Sequence, residues 1–474
     1  MVSGEVVAVV VVVTLAVFVW IGIRAMRRDG DLEDYVVARN SQPGSTLGLS
    51  FLAAGMGAWV LFAPPEVGAT VGLLGVLGYA LGAAAPFVVF GLLGRRIRTV
   101  LPAGHSLPEF LTLRFGRGFS MYVAVISLLY MLCFVTAELT AVGAVTSILS
   151  GFPAAGVIVA VTAATLIYTA IGGLRASLQT DRFQAWLIIA LLAAAAYAML
   201  GTGSAATADA APAAPDTPVR VGLEVALTLV IAVTAANMFH QGYWQRVWAA
   251  RDHRALRRGV GTGALATIPV VAVLGFIGYD AAARGLALGT PPAPFFAHLA
   301  AAPTWLTLPV LILAIALVTS SVDTLENGLA SLVAPERRGV TLTTARVLTV
   351  AFMVPAVLIA LQGFSVLRLF LVADLLCAAT VVPALASLWR RATGGAALAG
   401  AVAGLLGAGL GGIVATGSLR GVEMVTMPGA VPTLPPFLGA IIASVAVTVA
   451  VSLTNRSATN IEQIGAGVPA LSNR

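Results

Sequence analysis

The 474-residue chain has no lysine and little charge of either sign: 27 arginines and 20 acidic residues, only 10% charged in all. An average soluble domain carries about 25% charged residues. That deficit excludes a soluble enzyme, a nucleic-acid-binding domain and a disordered chain. The two cysteines, Cys133 and Cys377, lie deep in apolar runs, so they form neither a disulfide framework nor a CxxC metal site and read as core packing. Protease pairs such as HExxH or GxGD are missing, and the four histidines (His105, His240, His253, His298) are scattered, which argues against an intramembrane enzyme. The start lacks a basic n-region, and the first basic cluster (Arg24, Arg27, Arg28) follows the apolar run, the reverse of a cleaved signal peptide. A first helix that stays, with its N-terminus outside, fits that order.

What is present is apolar sequence. Hydrophobic residues make up 59% of the chain, with a mean hydropathy of +0.97. Runs of 18 or more apolar residues recur, each long enough to cross a hydrocarbon core of about 30 Å. Glycine (50) and proline (24) persist inside these runs, as expected of tightly packed and sometimes broken membrane helices. The pattern predicts an all-α integral membrane protein of about thirteen transmembrane helices. They fall near 5–23, 45–71, 73–93, 119–150, 154–172, 183–202, 219–240, 258–281, 304–333, 342–362, 364–388, 395–417 and 436–453. Alternating the loops from an outside N-terminus puts 23 of the 27 arginines inside, Arg98, Arg114 and Arg246 among them. In a membrane protein this is a topology signal, with the C-terminus cytoplasmic. Residues 203–218 read as an exposed outer linker, and 282–303 as an outer loop with a short interfacial helix. The tail 454–474 is too small for a domain, so no signalling module is expected there. Arginine-only, Ala/Gly-rich usage suggests a bacterial chain of the inner (cytoplasmic) membrane.

Ionisable groups inside spans are costly and face a cavity or a partner. They are Glu66, Glu138, Asp323, Glu326 and Asp374, with Asp181 near an inner end. Either they pair structurally or they line a polar pathway. The second span carries Gly55 and Gly57 at mid-depth and then Pro64-Pro65, where a continuous helix loses backbone bonds that lipid cannot replace. It is a merely kinked helix, or its freed carbonyls near Ala53–Gly57 face a cation. The ninth span holds Thr319-Ser320-Ser321-Val322-Asp323-Thr324, whose hydroxyls either bond back to carbonyls four residues earlier or offer hard oxygen ligands of the kind Na⁺ prefers. Two interrupted helices, the second and the ninth, are thus expected to meet halfway across the bilayer.

Three stretches then resemble the sodium:solute symporter family. Tyr168-Thr-Ala-Ile-Gly-Gly-Leu-Arg-Ala-Ser-Leu-Gln-Thr-Asp-Arg-Phe-Gln184 is similar to its YTxxGGLxAxxxTDxxQ stretch, and Gln241-Gly-Tyr-Trp-Gln-Arg-Val-Trp-Ala-Ala-Arg251 to its QxxxQRxxAA segment. Ser320-Ser-Val-Asp-Thr324 resembles its hydroxyl motif, and the likeness spans roughly residues 30–455. The resemblance implies a LeuT-like 5+5 inverted repeat with broken helices. The repeats would occupy 45–202 and 219–388, with a peripheral first helix (1–24) and two peripheral helices at 395–453. It also implies a sodium site from the carbonyls of Ala53, Met56 and Leu317 and the hydroxyls of Ser320 and Ser321, with Asp181 helping the ion leave inward. No resident cofactor is implied.

The implied activity is not enzymatic. It is sodium-coupled import of a small organic solute by alternating access, through a monomer or weak homo-oligomer in the lipid bilayer with no nucleic-acid partner. Gly55, Gly57, Glu138, Asn237, His240, Tyr243 and Asp323 are candidate substrate or gate residues, with packing as the alternative for each. Val60 stands where sugar carriers place glutamine, and a pocket without hydrogen-bond partners rejects a sugar. A small amino acid such as proline, a carboxylate, or urea and related compounds remain open. Rival readings are proton coupling through Asp323, Glu138 or Asp374, and a solute-sensing receptor on the same fold.

Overall fold

The computed structural model describes residues 3–24, 33, 36–201, 217–300, 304–333, 342–423, 433–456 and 458–469. Among these no β-strand occurs; Gln42 and Ala250 form one isolated bridge. The first helix, α1 (Gly4–Arg24), buries the stripe Val7, Val11, Leu15 and Phe18, spaced by three and four residues so that they share one face. Its other faces stay apolar and exposed (Val9 61%, Trp20 58%), as lipid as solvent requires. The same bare apolar belt continues through Leu92, Leu265, Val414 and Ile442 on later helices.

The predicted second span is interrupted. It comprises α2 (Gly44–Gly55), a 3₁₀ turn at Ala58–Leu61 and α3 (Ala63–Val71), its halves bent by 59°. Next come α4 (Leu73–Val89), α5 (Leu107–Phe115) and α6 (Arg117–Ser150). Helix α7 (Ala154–Gly201) covers both the fifth and sixth predicted spans and turns at Gly173, whose φ of 57° favours glycine. The seventh predicted span is also broken, which its sequence did not announce. Helix α8 (Val219–Asn237) stops, and α9 (Gln241–Ala249) restarts after three residues. Over Met238–His240 the amides close back three residues, at 3.2, 2.9 and 3.2 Å, and the Trp244 indole donates to the freed Met238 carbonyl at 2.7 Å.

Helix α10 (His253–Ala283) leads to the short α11 (Pro294–Ala300), which lies in the loop expected to hold an interfacial helix. The ninth span corrects an expectation: α12 (Thr307–Val333) runs without interruption. Its polar stretch needs no break, because neighbouring helices and its own carbonyls take up most of the side chains. Helices α13 (Leu342–Ala360), α14 (Val366–Leu385), α15 (Gly394–Thr416) and α16 (Leu434–Thr454) complete the order. Helices α15 and α16 approach through Gly407 and Gly439, where a Cβ on either would strike the carbonyl oxygen of the other.

Among the described residues, nine helices are long and apolar enough to cross a membrane, or ten with the bent pair. The predicted thirteen is not reached by that measure, since Ala154–Thr169 and Arg346–Ala360 count as shorter apolar helices. The chain is a multi-pass membrane protein. Three arginines assigned to loops are buried instead. Arg98 reaches the Ala250 carbonyl at 2.6 Å, and Arg114 donates to the carbonyls of Ser387, Trp389 and Ala392 at 3.0, 3.0 and 2.8 Å. Arg246 belongs to the site below. Most of the 203–218 linker lies outside the described residues.

Candidate transport site

The break in α2 is built around a carboxylate. Helix α2 ends as the Met56 amide closes on Leu52 (2.9 Å) and Ala53 (3.2 Å). The Ala58 amide, due to bond back within a continuous helix, donates instead to Glu138 Oε2 of α6 at 2.7 Å. Glu138 thus caps the N-terminus of the 3₁₀ turn, where orphan N–H groups and the helix dipole favour negative charge. Gly57 is required here because a Cβ on it would overlap the Glu138 carboxyl. Gly55 is open to the Tyr243 hydroxyl for the same reason.

One turn before the break, Ser50 donates to Asp181 Oδ2 at 2.5 Å, while Ser320 of α12 donates to Oδ1 at 2.9 Å. Asp181, on α7, therefore ties the broken helix to the hydroxyl-rich one. Arg246 of α9 completes the hub. Its guanidinium donates to Asp181 (2.6 Å), Ser50 (2.7 Å), Thr324 (3.1 Å) and the Gly242 carbonyl (2.9 Å), with both partners of the ion pair at 0% exposure. A buried charge persists when it is paired and fully hydrogen-bonded, and this one is. The next residue after Ser320, Ser321, has its hydroxyl buried without a hydrogen-bond partner among the described residues. Ser320, as a donor to Asp181, keeps its oxygen lone pairs free.

The rest of the α7 motif grips the same stretch of α12. Asp323 accepts from Tyr168 and Ser177, each at 2.8 Å, and Gln184 donates to Thr319 at 3.1 Å. Glu326 accepts from Thr165 at 3.0 Å. Thr319 bonds back to Ile315 at 2.8 Å, the local satisfaction that sequence offered as the alternative. On the α9 motif, Gln245 donates to the carbonyls of Val36 (2.7 Å) and Asn327 (3.1 Å), and Gln241 to that of His105 (2.8 Å). The motif residues are clasps between helices.

Adjacent to the break lies a small chamber of about 40 Å³, bordered by Gly55, Met56, Asn237 and Tyr243. Its walls are aromatic. Trp59 stacks on Tyr79 with centroids 5.7 Å apart, and Phe370 stands edge-on to Trp59 at 6.1 Å and to Phe134 at 5.0 Å. Asp374, one helical turn beyond Phe370 on α14, supplies its one acidic side chain.

Of the predicted substrate or gate residues, Gly55, Asn237 and Tyr243 border the chamber. His240 stacks on Tyr243 at 4.4 Å, behind the lining. Glu138 and Gly57 shape the break, and Asp323 is held between α7 and α12 away from the chamber. Sequence reasoning missed the roles of Ser50, Arg246 and the aromatic walls. The one usable signal was aromatic residues clustered in otherwise aliphatic spans, as at Trp59 and Phe62.

Two interrupted helices around an aromatic chamber, packed on a hydroxyl-rich helix, are what a LeuT-like fold implies. Solved structures share this fold. The substrate-bound outward-open state of a Na⁺-coupled sialic acid symporter matches with a TM-score of 0.75 at 16% identity, over 96% of this chain and 98% of that one. Mhp1, a nucleobase-cation-symport-1 family transporter, matches in a closed conformation with a TM-score of 0.59 at 13% identity, over 91% and 98%. The sodium:solute symporter family profile matches residues 35–404, and the chain belongs to that family. It is 29% identical over 355 residues to the spermidine transporter DUR31 of Candida albicans, covering 74% of this chain and 68% of that one. Over 187 residues it is 30% identical to sodium/glucose cotransporter 4 of Danio rerio, covering 39% of this chain and 28% of that protein.

Proposed function

We propose that the protein imports a small organic solute together with Na⁺ by alternating access. The observation that carries this reading is the junction at Asp181: one carboxylate joins Ser50 of the broken helix to Ser320 of α12, with the hydroxyl of the next residue, Ser321, buried and unpartnered among the described residues. In this reading Na⁺, a transported species, is held by the carbonyls of Ala53, Met56 and Leu317 and the hydroxyls of Ser320 and Ser321. Family membership and the break at Met56 and Gly57 support the assignment. Hydroxyl and carbonyl oxygens suit a hard monovalent cation. Bound Na⁺ bridges the two halves of the site and favours the solute-binding shape. Release inward passes Asp181, whose charge Arg246 already offsets, so the ion is not trapped there.

The solute occupies the aromatic chamber. Rocking of one bundle against the other then opens the chamber to the cytoplasm. With the N-terminus outside, the membrane potential drives Na⁺ inward at about 2.3 kcal/mol per charge per 100 mV. Among solutes, a sugar is disfavoured by a lining dominated by rings and aliphatic groups, with few polar side chains such as Asn237 and Thr267. A polyamine joins proline and urea as a candidate through the likeness to the Candida transporter, whereas a carboxylate would face Asp374 with no arginine in the lining.

Uptake by purified protein in liposomes with an imposed Na⁺ or H⁺ gradient tests the reading. Uptake driven by Na⁺, with Ser321→Ala raising the half-saturating Na⁺ concentration by about tenfold or more, is the expected result; tenfold corresponds to one lost oxygen contact of about 1.4 kcal/mol. Uptake driven by H⁺ alone and unchanged by Ser321→Ala overturns it.

A further inference from the structure

Resting on the chamber as the solute site, we propose that the solute is a small organic ammonium ion, its charge against Asp374 and its carbon skeleton against the aromatic walls. Asp374 is only 5% exposed, yet no hydrogen bond or ion pair reaches its carboxylate from any described residue. Four other acids of this interior each have a partner: Asp181 has Arg246 and two serines, Asp323 has Tyr168 and Ser177, Glu138 has the Ala58 amide, and Glu326 has Thr165. Glu66 is buried too, but it borders a different pocket. A buried carboxylate without a partner is unfavourable until a cation is brought to it. This one opens on the chamber, so the missing partner is what the chamber receives.

The surroundings decide which kind of cation. An inorganic ion needs a full shell of several oxygen ligands; Asn237, Thr267 and the tyrosines offer some oxygens, but half of the chamber's lining is rings, Trp59, Tyr79, Phe134 and Phe370 among them, with Tyr130 beside Phe134 at 5.9 Å. Ring faces attract an ammonium through their quadrupole and accommodate methylene groups at the same time. Among the described residues no arginine or histidine lines the chamber, so an anion or the carboxylate of a zwitterion finds no counter-charge there. Phe370 and Asp374 share one face of α14, so a single helix presents both the ring and the charge.

The test is calorimetric titration of the full-length protein in nanodiscs with choline, putrescine and 3,3-dimethylbutan-1-ol, the neutral carbon isostere of choline. Saturable binding of choline or putrescine, with the isostere weaker than choline by about tenfold or more, is expected. Asp374→Asn should weaken the ammonium probes by about the same factor while binding of radioactive Na⁺ persists, which also shows that the variant is folded. Phe370→Ala should weaken choline more than the isostere, an effect that loss of fold would not reproduce. The proposal is overturned if neither ammonium probe binds, if the isostere binds as well as choline, or if Asp374→Asn leaves choline affinity unchanged. Na⁺-driven uptake of proline or urea without ammonium binding sinks this inference and leaves sodium coupling standing. Ammonium uptake indifferent to Na⁺ does the reverse.

Discussion

Arg246 shows what a single residue does here and why sequence misassigned it. It stands in Gln-Arg-Val-Trp-Ala-Ala-Arg, among arginines that in sequence read as a topology signal, while its partner Asp181 lies 65 positions upstream on another helix. Nothing local distinguishes a topology arginine from one that neutralises a buried carboxylate. The two make different predictions. Removal of one member of a buried pair leaves the other charge uncompensated, at a cost of about 3–5 kcal/mol. Arg246→Met should therefore lower the thermal midpoint of the purified protein sharply, and Arg246→Met with Asp181→Asn should recover much of that loss without recovering transport. A midpoint indifferent to Arg246→Met contradicts the hub. Gly57 is a second case. Its glycine was legible as a helix breaker, but its reason, the Glu138 carboxyl in the space a Cβ would fill, was not. Gly57→Ala should reduce uptake more than Gly118→Ala, where a Cβ meets open space; equal effects would remove Glu138 from the account.

Elements were legible where chemistry is local. Gly55, Gly57 and the Pro64-Pro65 pair announce the α2 break, because glycine and proline remove helix stability whatever the surroundings. The seventh span breaks at Met238–His240 with neither residue type present, and only the indole of Trp244 and the neighbouring helices hold it open. In α12 the opposite occurs. A run of hydroxyls that looked like an interruption stays helical because α7 and α9 take up its side chains. Helix starts follow the same local rules. Asp252 caps α10 by accepting the Ala255 amide at 2.7 Å, and that bond holds its carboxyl below the usual aspartate value. The contribution is present above the unfolded pKa of roughly 4 and is lost as pH falls through the lowered folded value. Asp252→Asn, also a good cap, should flatten this acid dependence. Thermal midpoints of the two proteins should converge as the solution is acidified, and parallel curves would show that the cap does not titrate.

At the scale of the whole molecule, composition and arginine placement already indicated a many-helix membrane protein, since hydrocarbon tolerates so few alternatives. The chamber was not legible, because its walls come from the end of α2, the turn before α3, and α4, α6, α8, α9, α10 and α14, and no periodicity within one helix signals a chamber shared among so many. The proposed sodium site stands between these extremes. Its hydroxyls and the nearby break are written in the sequence, whereas their juxtaposition depends on Asp181 reaching both Ser50 and Ser320. The most direct measurement of that juxtaposition is equilibrium binding of radioactive sodium by the purified wild type and by Ser321→Ala, Asp181→Asn and Ser50→Ala. Saturable binding in the wild type that is lost in Ser321→Ala and weakened in the other two is the predicted result. Binding of equal strength in all four proteins would contradict a cation held where the broken helix meets α12.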